Sequence, residues 1–323
     1  MPKLSSLCFF GLAAVTFVVS GCVKTPVAEE QSSTELVSEG LTNAEDATGE
    51  PIKLGVLSID SAVSVNERYG PLMRYLSEVV NRPFEIVIAS QESQFTQVKE
   101  GKVDFITHNP LAAVQIQRLY NTEFLVTHVR PKTGSEFSGL IVVDRDSDIY
   151  ELEDLKGKRG ACVAFQSGAA GCTFQIYHLQ QYDIDPYTDF ESFVENKSQD
   201  NIVLAVLNDR VDVGFIRTGQ LEKMVDKGLI SSLDEVRILD LQDDDFFYPH
   251  TTDLYPEWPV AALPATDPEL VEQVRAALLA IPDDHPALKA LRAEGFVEAV
   301  DYSKLDALIE ALKLKSWDAP DPS

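Results

Sequence analysis

Short apolar segments alternate with helix-type patterns along most of this chain, and this alternation constrains its fold more than any other feature. Residues 52–58 (IKLGVLS) and 84–90 (FEIVIAS) are apolar enough to form buried strands. Residues 66–80 carry apolar side chains at helical spacing, and 92–101 predicts a second helix that ends at a glycine. A third strand is predicted within 103–110. This order predicts a mostly parallel sheet, which binds ligands at the carboxyl ends of its strands.

A similar segment recurs in the second half of the chain. The sequence VKEGKVDF at 98–105 is echoed by VLNDRVDV at 206–213, and each leads from a helix through a turn into a short strand. The repeat predicts two α/β lobes of similar build. An apolar strand at 137–146 and a proline-rich segment at 248–264 predict two crossings between the lobes, which form a hinge beside a cleft. We therefore predict lobe 1 over residues 51–140 plus 250–315, and lobe 2 over residues 141–249.

The first residues predict export and membrane attachment. An apolar run at 7–19 is too short for a comfortable membrane span and is typical of a secretory signal. The motif VSGC, which ends at Cys22, resembles the lipobox of bacterial lipoproteins. We predict a lipoprotein signal peptide over 1–21, a lipid anchor on Cys22, and a disordered tether over 22–50. The predicted location is the cell envelope, facing the periplasm or the exterior; a plain signal peptide with an incidental cysteine is the alternative.

The charge of the chain limits its partners. A formal net charge of −25 argues against nucleic acid, whose phosphates would be repelled. It also argues against long-range steering of an anionic ligand, so local groups would have to capture one.

Short motifs in a fixed order carry a family resemblance. They are RYGPL at 68–72, GKVD at 101–104 and LKGK at 155–158. In this order the chain resembles, over about residues 51–312, the phosphate, phosphite and phosphonate binding proteins of ABC transporters. The resemblance implies the type II periplasmic-binding-protein fold, an α/β architecture whose two lobes are joined by a two-crossover hinge. Three later motifs resemble the branch that serves as sensing domains of histidine kinases: RTGQLE at 217–222, LYPEWP at 254–259 and DY at 301–302.

The resemblance implies an anion site at a helix start within 162–174 (CVAFQSGAAGCTF). Unpaired backbone N–H groups and the helix dipole favour an anion there. The matching residues are Ser167, Gly168, Ala169, Ala170 and Gly171. The two alanines stand where phosphonate binders of the family carry hydroxyl residues, which departs from the phosphonate pattern. A plain strand–helix turn is the alternative.

Further ligand contacts are predicted at the strand ends and on the returning crossover. They are His108, Asn109, Arg217, Thr218, Thr251 and Thr252. The first two have an alternative role as a strand-end cap. Arginine suits oxyanions through paired hydrogen bonds, and an inter-lobe ion pair is its alternative role here. Tyr255 and Trp258 either line the cleft or pack in the core.

Two cysteines remain once the signal is removed and Cys22 is lipidated. Cys162 and Cys172 are an even pair in an oxidising compartment, which favours a disulfide. A reduced pair that captures a thiophilic ligand, such as arsenite or a sulfur oxyanion, is the alternative. Without nearby histidines the pair is a poor zinc site, and no metal or cofactor is predicted.

The sequence predicts a binding protein and not an enzyme. Ser167 lacks the G-x-S-x-G context of a nucleophile, and Cys172 lacks a basic partner. We predict a monomeric solute-binding lipoprotein that captures a small oxyanion and delivers it to the permease of an ABC importer. The alternative is a ligand-sensing accessory protein for a two-component histidine kinase, binding a sulfur or arsenic oxyanion.

Overall fold

A computed structural model describes residues 49–58 and 61–314. The predicted signal peptide, Cys22 and nearly all of the predicted tether lie outside the described residues. No helix in the described part of the chain combines the length and the apolar character needed to cross a bilayer.

Six strands form the first sheet, which belongs to lobe 1. They are β1 (Ile52–Leu57), β2 (Phe84–Ala89), β3 (Phe105–Thr107), β4 (Glu123–Val129), β12 (Pro259–Ala262) and β13 (Gly295–Glu298), in the spatial order β13-β4-β12-β3-β1-β2. The first three run parallel, whereas β12 is antiparallel to both of its neighbours and β13 is antiparallel to β4. The helices of this lobe are α1 (Ala62–Val80), α2 (Ser93–Lys99), α3 (Pro110–Tyr120), α8 (Pro268–Leu279) and α9 (Pro286–Leu291).

Five strands form the second sheet, which belongs to lobe 2. They are β6 (Gly139–Asp144), β7 (Arg159–Cys162), β8 (Ser192–Glu195), β9 (Val213–Arg217) and β10 (Val236–Ile238), in the spatial order β10-β6-β9-β7-β8. The helices of this lobe are α4 (Phe174–Gln180), α5 (Pro186–Asp189), α6 (Gln199–Leu207) and α7 (Gln220–Asp226). A π-helical turn over Ala169–Thr173 leads directly into α4, so the helix is continuous from 169 to 180.

The repeated Val-Asp segment has the same structural role in both lobes. In lobe 1 the Asp104 carboxylate accepts a hydrogen bond from the Lys53 backbone N–H at 2.7 Å. In lobe 2 the Asp212 carboxylate accepts one from the Arg159 backbone N–H, also at 2.7 Å. Each aspartate therefore fixes its strand against the first parallel strand of its own sheet, which explains why the two segments are alike.

The two crossings between the lobes pair with each other. β5 (Glu136–Phe137) lies on the outward crossing and β11 (Tyr255–Pro256) on the return, and they form a two-stranded antiparallel ribbon. This pairing gives the predicted two-crossover hinge.

The C-terminal helix of the described residues, α10 (Ser303–Leu312), packs across both lobes. Its apolar face joins a buried group that we call the inter-lobe cluster, which contains Leu111 and Val114 of α3, Ala169 and Ala170, Phe137, Phe174, Tyr255, Tyr302, Leu305, Leu308, Ile309 and Leu314. Arg118 of α3 also pairs with Asp306 and Glu310 of α10, at 2.9 and 2.6 Å. The helix start in lobe 2 is therefore held against α3 of lobe 1 by apolar contacts.

Candidate functional site

Strand ends from both sheets meet where the lobes face each other. His108 and Asn109 follow β3, the loop 163–168 follows β7, and Arg217 ends β9. Because carboxyl ends of parallel strands share one edge of a sheet, the fold brings these distant segments together.

His108 is buried without a hydrogen-bond partner among the described residues. Its exposed fraction is 1%, and both ring nitrogens are unpaired. Burial lowers the pKa of His108 to about 3, because a charged imidazolium is poorly solvated there. The ring is therefore neutral at pH 7 and offers one N–H donor and one acceptor nitrogen.

Asn109 is both a helix cap and a contact between the lobes. Its side-chain oxygen accepts a hydrogen bond from the Ala112 N–H at 3.1 Å, which caps α3. Its side-chain nitrogen donates to the Ser167 carbonyl at 2.9 Å. The capping role considered as an alternative is present, and the same side chain reaches the predicted anion loop.

The loop before the helix start is held from lobe 1 by two further hydrogen bonds. The Ser167 hydroxyl donates to the Gln91 side-chain oxygen at 2.8 Å. The Gln115 amide donates to the Gln166 carbonyl at 3.2 Å. The loop is therefore positioned by both lobes.

Gly168 permits a tight turn at this helix start. Its N–H donates to the Ala164 carbonyl at 2.9 Å, and a Cβ at this position would lie 2.7 Å from the same oxygen. The next backbone N–H groups, of Ala169, Ala170 and Gly171, have no acceptor among the described residues. They point out of the first turn of the continuous 169–180 helix, where the helix dipole favours an anion.

The two cysteines of the stretch are joined. A disulfide links Cys162, at the end of β7, to Cys172 in the π-helical turn. Both residues are fully buried, so the bond fixes the helix start to the second sheet.

Arg217 has no carboxylate within 4.0 Å among the described residues. Its Nε donates to the Thr218 carbonyl at 3.2 Å, and its backbone N–H donates to the Gln199 side-chain oxygen at 2.8 Å. Burial lowers the pKa of the guanidinium, and the positive charges of Arg130 and Arg68 lower it further. The negative charge of Glu257 raises it. Within residues 49–58 and 61–314, the inter-lobe ion pair considered for Arg217 is therefore not formed.

The charged groups around Arg217 were not predicted as site residues. Arg130 Nε lies 3.6 Å from a carboxylate oxygen of Glu257, which is 2% exposed and also accepts from the Trp258 N–H at 3.1 Å. Arg68 is the first residue of the RYGPL motif, which served only as a family marker. No local pattern in the sequence links these residues, since they come from α1, the hinge and the returning crossover.

The three predicted threonines form hydrogen bonds with backbone groups just before β6, at its first residue and just after β10. Thr218 Oγ1 accepts from the Ser138 N–H at 3.2 Å. Thr251 Oγ1 donates to the Leu239 carbonyl at 2.8 Å, and Thr252 Oγ1 accepts from the Gly139 N–H at 3.0 Å. All three are buried, and their role as ligand contacts stays a prediction.

The aromatic residues of the returning crossover are buried. Tyr255 stacks on Phe174 with ring centroids 3.9 Å apart and belongs to the inter-lobe cluster. Trp258 is 8% exposed.

Among residues 49–58 and 61–314, no group of three or more potential protein ligands is placed to hold a metal ion.

Comparison with known proteins gives consistent matches. The family model for periplasmic phosphonate substrate-binding proteins of ABC transporters matches residues 54–303. The tetrathionate sensor histidine kinase TtrS of Salmonella typhimurium is 26% identical over 234 residues, 71% of this chain and 39% of the kinase. The phosphonates-binding periplasmic protein of Escherichia coli is 22% identical over 178 residues, 54% of this chain and 52% of that protein. The chain thus covers less than two thirds of the length of either relative.

A solved structure matches at the level of the fold. PhnD1 from Prochlorococcus marinus, in complex with methylphosphonate, has a TM-score of 0.67 and 14% identity. The match covers 81% of this chain and 98% of that chain. It confirms the predicted α/β fold of two lobes.

Proposed function

Because the chain belongs to the family of periplasmic phosphonate substrate-binding proteins of ABC transporters, we propose that it captures a small oxyanion and delivers it to an importer. The fold is that of type II periplasmic binding proteins, and the family consists of periplasmic substrate-binding proteins. In such a fold, two lobes close about a hinge around the ligand, and a membrane partner recognises the closed form.

Arg217 is the observation that carries the oxyanion proposal. Its partly buried guanidinium has no carboxylate within 4.0 Å in the described part of the chain, so only the more distant Glu257 offsets its charge, and an anion would supply a closer counter-charge. The N–H groups of Ala169, Ala170 and Gly171, which have no acceptor among the described residues, add donors. Gln199 lies beside both Arg217 and this helix start. Its side-chain oxygen accepts from Arg217, and its side-chain nitrogen lies 3.1 Å from where a Cβ on Gly171 would stand.

The N-terminal lipobox-like motif supports a proposal of membrane attachment. We propose that Cys22 carries a lipid anchor and that the protein acts as a monomer at the cell envelope. Labelling with a radioactive fatty acid tests the anchor: wild type is expected to incorporate it, and Cys22→Ser is not. Equal labelling of the two proteins would exclude this cysteine.

A second function is favoured by one finding. The sequence match to the tetrathionate sensor kinase covers 71% of this chain and is more extensive than the match to the phosphonates-binding protein. We therefore keep a ligand-sensing accessory protein of a histidine kinase as the alternative, with a sulfur or arsenic oxyanion as its ligand.

Calorimetric titration of the purified domain tests oxyanion binding. We expect phosphate, methylphosphonate, sulfate, thiosulfate, tetrathionate or arsenate to bind, and Arg217→Ala to weaken that binding at least about tenfold, the loss of a charge-assisted hydrogen bond. Arg210→Ala, at an exposed arginine, is the matched control and is expected to bind as wild type does. If every oxyanion fails to bind while an uncharged solute binds, the proposal is wrong.

A gene deletion separates the two functions. Loss of uptake of the bound oxyanion supports the importer. Loss of ligand-dependent phosphorylation of a response regulator, with uptake unchanged, supports the sensor.

A further inference from the structure

Three aromatic rings form a group at the surface of lobe 2, beside the loop that precedes the helix start. They belong to Phe165 of that loop, Tyr187 of α5 and Phe193 of β8, and their centroids lie 5.0 to 5.6 Å apart. Tyr187 is 49% exposed, and the other two side chains are half-buried. We call these three residues the aromatic patch.

The aromatic patch rests on the core of lobe 2. The ring of Phe193 contacts the rings of Phe190 and Phe215, at centroid distances of 5.6 and 5.4 Å. Phe215 is fully buried. Aromatic side chains that are already held in place lose little conformational entropy when a partner covers them, which is why they are frequent at the centres of protein interfaces.

The strand that carries Phe193 lies at an edge of the second sheet. β8 pairs with β7 on one side, and no strand of the described residues pairs with its other side. Its sequence, SFVE, contains neither the lysine nor the proline that often protects an edge strand, and Val194 is 48% exposed. An extended segment of another protein can add to such an edge through backbone hydrogen bonds.

Carboxylates surround the aromatic patch. Because side chains alternate along a strand, Glu195 lies on the same face of β8 as Phe193. Its Oε1 accepts a hydrogen bond from the Phe165 N–H at 2.6 Å. The pKa of Tyr187 is raised to about 12, mainly by partial burial and also by the negative charges of Asp185 and Glu195. The rim of the patch is therefore negatively charged, and it favours a cationic partner.

The aromatic patch is connected to the proposed ligand site through one loop. Phe165 belongs to the loop 163–168, and lobe 1 holds this loop by hydrogen bonds from Asn109 and Gln115 and to Gln91. A partner that covers the patch would therefore contact a loop whose position depends on both lobes.

From these features we infer that the aromatic patch and the free edge of β8 dock an extended, positively charged segment of a membrane protein. In that arrangement the backbone of the segment pairs with β8, and an arginine or lysine lies on the Tyr187 ring beside Asp185 and Glu195. Direct contact with the lipid surface is disfavoured, because anionic head groups and these carboxylates carry like charges. The inference rests on the proposed function only in requiring a membrane partner, and it holds for a permease and for a sensor kinase.

Photocrosslinking in cells tests this docking surface. The full chain is expressed in its own host with the substitution Tyr187→p-benzoylphenylalanine, and the crosslinked peptide is identified by mass spectrometry. We expect a segment of a membrane protein that faces the cell exterior or periplasm and contains lysine or arginine. The same photoreactive residue at Leu229, which is 42% exposed elsewhere on lobe 2, is the control and should not give this product.

A charge variant tests the role of the carboxylates. Glu195→Gln keeps an oxygen that can accept from the Phe165 N–H but removes the negative charge. It should reduce the yield of the crosslinked product about fivefold, the loss expected for one partly exposed charge pair. Asp234→Asn, at a side chain of lobe 2 that is 86% exposed, is the matched control and should leave the yield unchanged.

The remaining outcomes are also decisive. Crosslinking to a second copy of this chain, to lipid or to an acidic segment, or no product at all, would overturn the inference. Calorimetric titration of the same variants with the oxyanions separates this result from the proposed function. Oxyanion binding without the crosslink refutes the docking surface alone, whereas the crosslink without oxyanion binding refutes the oxyanion proposal alone.

Discussion

The buried histidine at the end of β3 makes the folded protein sensitive to acid. Burial lowers the pKa of His108 from 6.5 to about 3. The unfolded chain therefore binds a proton as the pH falls through 6.5, whereas the folded chain does not until about pH 3. Stability contributed by this residue is complete above pH 6.5 and is lost progressively as the pH falls towards 3.

The size of the effect follows from the linkage between protonation and folding. Each pH unit within this window costs about 1.4 kcal/mol, so the free energy of unfolding should fall by about 3 kcal/mol between pH 7 and pH 4.5 because of His108 alone. Other groups, including the buried His128, whose pKa burial also lowers, change stability in the same range. The comparison must therefore be made against a variant that lacks only the His108 ring.

Urea unfolding of the ligand-free domain at the two pH values is the assay. Wild type should lose about 3 kcal/mol more than His108→Asn over this interval. His108→Gln, with a longer side chain, serves as a second variant in case the first packs poorly, and the slopes of the unfolding curves check that the transition is unchanged. If wild type and both variants lose the same free energy, His108 does not titrate abnormally and its neutral state at the site is refuted.

Three further changes test the positions of the loop, the helix and the hinge. Replacing Cys162 and Cys172 with serine should lower the free energy of unfolding, measured with urea, by about 2–3 kcal/mol, because a short loop is no longer closed. Unchanged stability would mean that the two cysteines are not bonded. Asn109→Ala removes the cap of α3 and the hydrogen bond to Ser167 across the cleft. It should lower the free energy of unfolding by about 1 kcal/mol or more and increase the radius of gyration in solution scattering. If Asn109 were only a local cap, the radius of gyration would not change. Gly139→Ala would place a methyl group against the buried Gln175 amide, so it should lower the free energy of unfolding by about 1–3 kcal/mol and lower the melting temperature. An unchanged melting temperature would show that the amide can move.

The two-lobe architecture was predictable because its signals are local. Apolar periodicity distinguishes strand from helix within a dozen residues, and the repeated Val-Asp segment marks the same turn in each lobe. The predicted pairing of Cys162 with Cys172 was also accessible, since few cysteines remain and the two lie close in sequence.

The predicted site was only partly accessible from sequence. The helix start and the strand ends follow from topology, so His108, Asn109, Ser167 and Arg217 could be named. Which of them are engaged by protein partners could not be predicted. Asn109 reaches Ser167 from 58 residues away, and the threonines of the returning crossover accept hydrogen bonds from the β6 backbone, which is far from them in sequence.

The sequence by itself determined the order of strands and helices, the position of the two crossings and the family. Only the tertiary structure decided the charge balance of the cleft. It places Glu257 against Arg130 and leaves Arg217 without a carboxylate within 4.0 Å in the described part of the chain. The physical reason is distance along the chain. Secondary structure depends on patterns among residues that are close in sequence. An ion pair depends on atoms a few ångströms apart, and the folding of two lobes brings these atoms together from distant parts of the sequence.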